Sequence, residues 1–270
     1  MHLTKHHGLS NDFLVTFVDE VPANAPELAT ELCDRRSGIG ADGLIFGIDS
    51  GSTPIMRLFN ADGSAAEISG NGLRCFVQAV AMRRGVPTLE VDVDTLAGVR
   101  ACEIEVTNDP AVAFASADMG EVTPGDSPDS PDFLTEVDGL DGVKRWAIGA
   151  VGNPHVVIEM EDPHSVDLAH VGPQIEAHFP HGANVHFVST GGDGEVILRV
   201  WERGAGITQA CGSGATVSAQ RMYEWGAVGE RVDVAMPGGS ATVDVATTER
   251  PTAVLSGPAT FVGTVEVPRG

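Results

Sequence analysis

Lysine is nearly missing from this chain: among 270 residues only Lys5 and Lys144 occur. Neither lies in a glycine-rich or phosphate-cradling stretch, so a pyridoxal cofactor, which needs a lysine Schiff base, is not expected. Basic residues are scarce as a class, with 16 Lys and Arg against 38 Asp and Glu and a formal charge of −22. Nucleic acid and anionic membrane both call for a basic face, and neither is an expected partner. The carboxylates are dispersed rather than blocked, the pattern of a solvated acidic surface. No apolar run is long enough to span a bilayer, and "MHLTKHHGLSNDF" lacks the apolar core of a signal peptide, so the expected location is cytoplasmic. Cys33, Cys75, Cys102 and Cys211 form no CxxC pair and are expected as free thiols. HExxH and GxxxxGK[ST] are absent. The adjacent His6 and His7 are poorly spaced to share a metal from a strand, and no metal site is expected.

What the chain does contain is a repeat. "MRLFNADGSAAEISGNGLRCFVQA" (56–79) aligns with "LRVWERGAGITQACGSGATVSAQR" (198–221). Arg57 falls on Arg199, Phe59 on Trp201, Gly70 on Gly212 and Gly72 on Gly214, each displaced by 142 residues. The same displacement carries Asn11 to Asn153 and Gly40-Ala41-Asp42 to Gly182-Ala183-Asn184. A register held across separated blocks points to two halves of similar fold related by a pseudo-twofold axis. "DFLVTFVD" and "HVVIEM" read as strands opening each half, "PELATELCDRR" (26–36) and "VDLAHVGPQIEAH" (166–178) as helices, and "GLIFGI" and "NVHFVS" as returning strands. Leu73, Phe76, Val77 and Val80 make an apolar stripe on a helix, and 89–106 reads as a hairpin. The Pro-, Gly- and Asp-rich stretch 120–133 is the natural linker. A last strand near 259–267 has no counterpart in the first half and is placed to cross back to it. The expected domains are 1–120 joined by 257–270, and 121–256.

The repeat superposes Ser69 on Cys211, each just before a glycine-rich helix start. Such a start presents unpaired N–H groups and partial positive charge, which bind carboxylates and lower the pKa of a thiol. Two such mouths facing each other would offer acid/base groups to both faces of one substrate. That arrangement suits cofactor-free inversion at a carbon beside a carboxylate, with the developing charge stabilised electrostatically.

The blocks "HGLSNDF" (7–13), "GIGADG" (38–43), "FNADGSAAEISGNGLRCF" (59–76), "GNPH" (152–155), "ANVHF" (183–187), "ERGAGITQACGSGA" (202–215), "MPGG" (236–239) and "SGPA" (256–259) span nearly the whole chain. In these the sequence resembles the diaminopimelate epimerase family, in the superfamily that includes proline racemase. The resemblance implies an α+β fold of two pseudo-symmetric domains, each a barrel-like sheet wrapped around a central helix. It further implies epimerisation of L,L- to meso-diaminopimelate without a cofactor, in lysine and peptidoglycan precursor synthesis, by a homodimer acting on a small amino-acid substrate. Carried over by motif, Cys211 and Ser69 occupy the catalytic positions. Asn11, Asn60, Asn153 and Asn184 resemble substrate-binding asparagines, and Glu202 and Arg203 would hold the distal amino-acid end. Gly70, Asn71, Gly212 and Ser213 would supply N–H groups to the reacting carboxylate, and His155 resembles a residue beside the catalytic pair.

The family pattern has cysteine where this chain has Ser69, and a hydroxyl is a far weaker acid than a thiol. Ser10 stands where glycine is usual, and Gly43 where some relatives carry glutamine. Three readings therefore stand side by side. The first is an epimerase using a Ser69/Cys211 pair, and the second a related racemase or dehydratase acting on another amino acid. The third is a binding relative, natural or altered, that has lost turnover.

Overall fold

The N-terminal strands pair through a very short turn. β1 (His2–Gly8) and β2 (Asn11–Phe17) run antiparallel with Gly8 opposite Asn11, leaving Leu9 and Ser10 to reverse the chain. Both have positive φ, 56° and 68°, the geometry that matches strand twist and ordinarily selects Asn-Gly. α1 (Ala25–Cys33), with proline in its first turn, then carries the chain across so that β3 (Gly43–Ile48) lies parallel to β2. A parallel pair needs such a crossover. Between α1 and the sheet lies a core built on Leu3, Leu14, Ala29, Leu32, Leu44 and Phe46. With both faces covered, β2 and β3 are buried almost throughout rather than alternating.

β4 (Ile55–Asn60) returns antiparallel beside β3, and β5 (Ala65–Ala66) folds back on it. α2 (Gly70–Arg84) follows, then β6 (Thr88–Thr95), β7 (Gly98–Val106) and β8 (Val112–Gly120). The second half repeats this order. β9 (Val143–Val151) and β10 (Asn153–Met160) form a hairpin, and α3 (Leu168–Ala177) crosses to β11 (Asn184–Thr190), parallel to β10. β12 (Val196–Glu202), the short β13 (Gly206–Ile207), α4 (Gly212–Glu224), β14 (Arg231–Met236), β15 (Gly239–Asp244) and β16 (Ala253–Glu266) complete the chain.

The computed structural model describes residues 1–268. They divide into two units, Met1–Asp118 with the chain from Ser256 onward, and Met119–Leu255. The expected boundary segment 257–270 ends in residues 269 and 270, which lie outside the described residues. In the first unit the strands run β1-β2-β3-β4-β6-β7-β8-β16, and β16 pairs with β1, closing an eight-stranded barrel. α2 packs against β1, β2, β3, β4 and β7, so it is buried on every side from Gly70 to Ala81. In the second unit the order is β15-β14-β12-β11-β10-β9, and α4 packs against all six strands. α3 covers the other face, its Val171 and Ile175 clustering with Val156, Ile158, Val185 and Phe187. The α+β class with a sheet wrapped around a central helix is thus the observed one.

Two local expectations change. The stretch 120–133 is packed within the second unit, where Thr123 bridges to Ala150, and Pro124, Pro128 and Pro131 flank Trp146 in an open groove of about 570 Å³. The last strand starts at Ala253, six residues before the apolar run that suggested it. Left-handed backbone costs about 1–2 kcal/mol at a non-glycine residue. Ser10→Gly is therefore expected to raise the unfolding midpoint in denaturant, by up to ~1 kcal/mol once glycine's unfolded-state entropy is offset. An unchanged or lower midpoint would show the turn is not strained.

Candidate active site

In the first unit Ser69 is the N-cap of α2, with extended φ/ψ of −140° and 117°. Its Oγ accepts the Gly72 N–H at 3.0 Å, satisfying one of the donors a helix start leaves over. The hydroxyl proton has no acceptor among the described residues. Two residues on, Asn71 sits in a directed chain. Arg74 Nη2 donates to Asn71 Oδ1 at 2.8 Å, Asn71 Nδ2 to Asn11 Oδ1 at 3.1 Å, and Asn11 Nδ2 to Asp42 Oδ2 at 2.7 Å. Asp42 also takes the Asp12 N–H and an Arg35 guanidinium nitrogen, which reaches Asp12 as well. Burial would raise the Asp12 carboxyl, but the hydrogen bonds and charges of Arg35 and Lys5 outweigh it and hold it below its ordinary value. Arg74 is fully buried, with Nε and Nη1 unpartnered among the described residues. Burial draws its pKa down to about 10, leaving it a cation at neutral pH. Asn60 stands apart from this chain, exposed, its Nδ2 bonded to Ser64 Oγ at 3.0 Å in the turn toward β5.

In the second unit Cys211 is the N-cap of α4 in nearly the same backbone geometry, φ −130° and ψ 110°. A thiol at a helix start was expected to be acidic. Here its pKa is instead raised well above the ordinary value. Burial is the main cause and the Glu202 carboxylate beside the sulfur adds to it, while the Gly214 N–H and the Ser213 hydroxyl at 3.7 Å pull the other way and lose. Partial helix charge is a fraction of a kcal/mol to about 1 kcal/mol, and burying an anion costs more. Glu202 also accepts from the Thr208 hydroxyl. Asn184 is spent internally: Nδ2 donates to Pro154 O at 3.0 Å and Oδ1 accepts from Arg203 N at 3.0 Å. The Arg203 side chain lies over Gly182, where a Cβ would stand 2.9 Å from Cδ, and it donates to His181 O at 3.0 Å.

His155 is buried, with Nε2 2.8 Å from Asn153 Oδ1 and Nδ1 2.8 Å from His186 Nε2. Burial pushes the pKa of His155 well below its ordinary value, with His186 and Arg203 adding to the effect, and takes His186 to about 3. Sequence reasoning missed Arg35, Asp42, Arg74 and His186. Asp42 could have been found, since the repeat lays it on Asn184. The other three carry no signal of their own.

Each unit thus offers a helix start with a proton-bearing cap atom, spare N–H groups and amides held by side chains behind them. A family model described as diaminopimelate epimerase matches residues 3–124 and 148–262. The chain belongs to the diaminopimelate epimerase family. It is 42% identical to the diaminopimelate epimerase of Methanothermobacter thermautotrophicus over 90% of this chain and 89% of that protein. To the one from Pelotomaculum thermopropionicum it is 38% identical over 99% of both. Among solved structures it is similar to a predicted epimerase from Pseudomonas aeruginosa, with TM-score 0.79 at 14% identity over 100% of this chain and 99% of the other. It is also similar to a hydroxyproline epimerase from Agrobacterium vitis solved with trans-4-hydroxy-L-proline, with TM-score 0.69 at 16% identity over 99% and 90%. At those identities the likeness is one of fold. Among the described residues no helix is long and apolar enough to cross a membrane, and no cluster of three His, Cys, Asp or Glu could hold a metal ion.

All four cysteines are buried, and burial lifts Cys33, Cys75 and Cys102 to about 12 and Cys211 well above its ordinary value. A disulfide reagent at pH 8 should therefore titrate almost no thiol in the folded protein and all four after denaturation. A fast-reacting native thiol would contradict the buried, protonated Cys211. Burial likewise takes His6 to about 4. The unfolded chain protonates its imidazoles near 6.5, so stability from keeping His6, His155 and His186 neutral is full above that pH and drains as pH falls, down to about 4 for His6 and about 3 for His186. NMR should show no titration of these three rings between pH 8 and 5, and a step near 6.5 in any of them would overturn its assigned burial.

Proposed function

We infer that this protein is a diaminopimelate epimerase, interconverting the L,L and meso isomers by α-proton transfer, in lysine and peptidoglycan precursor synthesis. The observation that carries the reading is the pair of matched helix starts capped by Ser69 and Cys211, within a chain that shares its whole length with the family. Cys211 and Ser69 are assigned as the acid/base pair. One takes the α-proton, leaving its electron pair delocalised into the carboxylate, and the other returns a proton from the opposite face of the carbon. The N–H groups around Gly70, Asn71, Gly212 and Ser213 stabilise the charge that grows on the carboxylate, a task where oriented donors are worth several kcal/mol, roughly 3–4 per donor.

Protonation sets the division of labour. Cys211 rests as a thiol and is ready to give a proton. To act as base it first passes that proton to Glu202, assigned by motif to the distal end but lying beside this sulfur. Ser69 is the harder case, because an alkoxide is far more basic than a thiolate. Its geometry supports it as a donor: one lone pair accepts the Gly72 N–H, which withdraws charge, and the hydroxyl proton is left to give. Arg203 supplies a cation for the distal carboxylate, Asn11, Asn60 and Asn153 are assigned to the substrate, and Asn184 holds the Arg203 backbone behind them. Family resemblance supports a cytoplasmic homodimer.

Incubation with L,L- and separately with meso-diaminopimelate in deuterated water tests this directly. Both isomers should form from either start, with deuterium at the α-carbon. Exchange without inversion would remove Ser69 from the pair, and neither binding nor exchange would sink the assignment of substrate. Ser69→Cys should speed inversion and lower stability, since sulfur is the weaker cap acceptor. An unchanged or slower rate would show that this position does not limit the chemistry.

A further inference from the structure

The two buried imidazoles of the second unit form a chain whose direction can be worked out. Asn153, His155 and His186 are linked end to end by two hydrogen bonds of 2.8 Å, and His186 Nδ1 ends the chain with no partner among the described residues. Both rings are neutral, being buried, so each carries one proton. Only two arrangements satisfy both bonds. In the first, His155 donates Nε2–H to Asn153 Oδ1, and His186 donates Nε2–H to His155 Nδ1, so the chain ends in a bare lone pair on His186 Nδ1. In the second the Asn153 amide is turned over so that Nδ2 donates to His155 Nε2, His155 donates Nδ1–H to His186 Nε2, and the chain ends in an N–H with nothing to accept it. An orphaned buried donor is rarer and costlier than an under-used acceptor, so the first arrangement holds.

The end of the chain is wedged as well. His186 lies on β11 next to the parallel β10, and its ring rests on the first turn of α4. A Cβ added at Gly214 would stand 2.1 Å from His186 Cε1. The ring cannot swing to find another acceptor without displacing the helix. At the other end Asn153 is only half buried, and its Nδ2 has no partner among the described residues.

We propose that His186 is a positioning residue: its Nε2–H holds His155 as a hydrogen-bond donor and, through it, turns the Asn153 amide so that its NH2 group faces outward to receive a substrate carboxylate. His155 is then a donor at Nε2 and not a proton acceptor, and Asn153 discriminates for a carboxylate and against an ammonium at its position. The assignment of the ligand rests on the epimerase reading, whereas the direction of the chain does not.

The test has one arm that needs no substrate. Long-range proton–nitrogen NMR of the histidine-labelled protein at pH 7 should show both His155 and His186 as the Nε2–H tautomer. A His155 ring with its proton on Nδ1, or with both nitrogens protonated, overturns the proposal. In the kinetic arm, His186→Leu removes the donor and should raise KM for diaminopimelate about tenfold, the loss of one charge-assisted bond, while kcat stays within about twofold. His186→Gln, whose amide can donate to the same nitrogen, should restore KM to within about twofold. If Gln behaves like Leu, or if both change only thermal stability, His186 is structural and the proposal fails. A wild-type protein that shows the two tautomers yet does not turn over diaminopimelate would sink the substrate assignment and leave the direction of the chain standing.

Discussion

A helix that begins inside a protein leaves its first N–H groups without water to bond them, and the fold depends on how that debt is met. α2 and α4 are buried from their first residues onward, Gly70 to Ala81 and Gly212 to Gln220. Neither start can be left bare. In α2 the Ser69 hydroxyl meets one donor, and in α4 the Gly214 N–H lies against the Cys211 sulfur. What remains is a set of oriented donors at a buried helix start, a geometry that favours an anion. The stabilising device and the candidate chemistry are therefore the same atoms.

Burial on all sides has a second consequence. α2 carries a polar stripe, Asn71, Arg74 and Gln78, at helical spacing, and the barrel covers it along with the apolar one. Each member must find partners inside. Arg74 turns back to Asn71, while Gln78 bonds His6 and the carbonyls of Ala111 and Ala259. Asn71 hands the direction on to Asn11 and Asp42. The second half solves the same problem with different chemistry. Asp42 accepts the N–H of Asp12, but the residue in the matching place is Pro154, which has no N–H to give. Asn184 at the matching position donates to the Pro154 carbonyl instead. An aspartate there would face a carbonyl oxygen, so the amide follows from the proline.

Some parts of the molecule are legible in the sequence alone. The repeat fixed the positions of α2, α4 and their caps, because glycine pairs and flanking strands survive in both copies. The strand–helix–strand order around α1 and α3 was legible, and the structure adds that β2–β3 and β10–β11 pair in parallel. β1 and β9 were not legible, since "HLTKHHG" and "VKRWAIGAV" carry mixed polarity and gain their strand character only from neighbours. The apolar stripe Leu73, Phe76, Val77 and Val80 was legible, but a stripe alone says nothing of the opposite side, which is buried as well. His186 was invisible for a related reason: its role comes from a neighbouring strand and from the missing side chain at Gly214, two residues that sequence distance does not connect.

The cap constraint also bears on why serine can stand at 69. The position asks for two properties that do not peak in the same atom. Oxygen accepts a backbone N–H better than sulfur does, and sulfur gives up a proton far more readily than oxygen. Cys211 takes the second option at the cost of a poor cap, with no side-chain cap hydrogen bond at the start of its helix. Ser69 takes the first. In the proposed Ser69/Cys211 pair, a reversible isomerisation passes through both ends in either direction, so the weaker member limits the rate both ways. Under that proposal, serine at this place favours the cap of the first unit over the speed of proton transfer, and the balance between them lies in one oxygen atom.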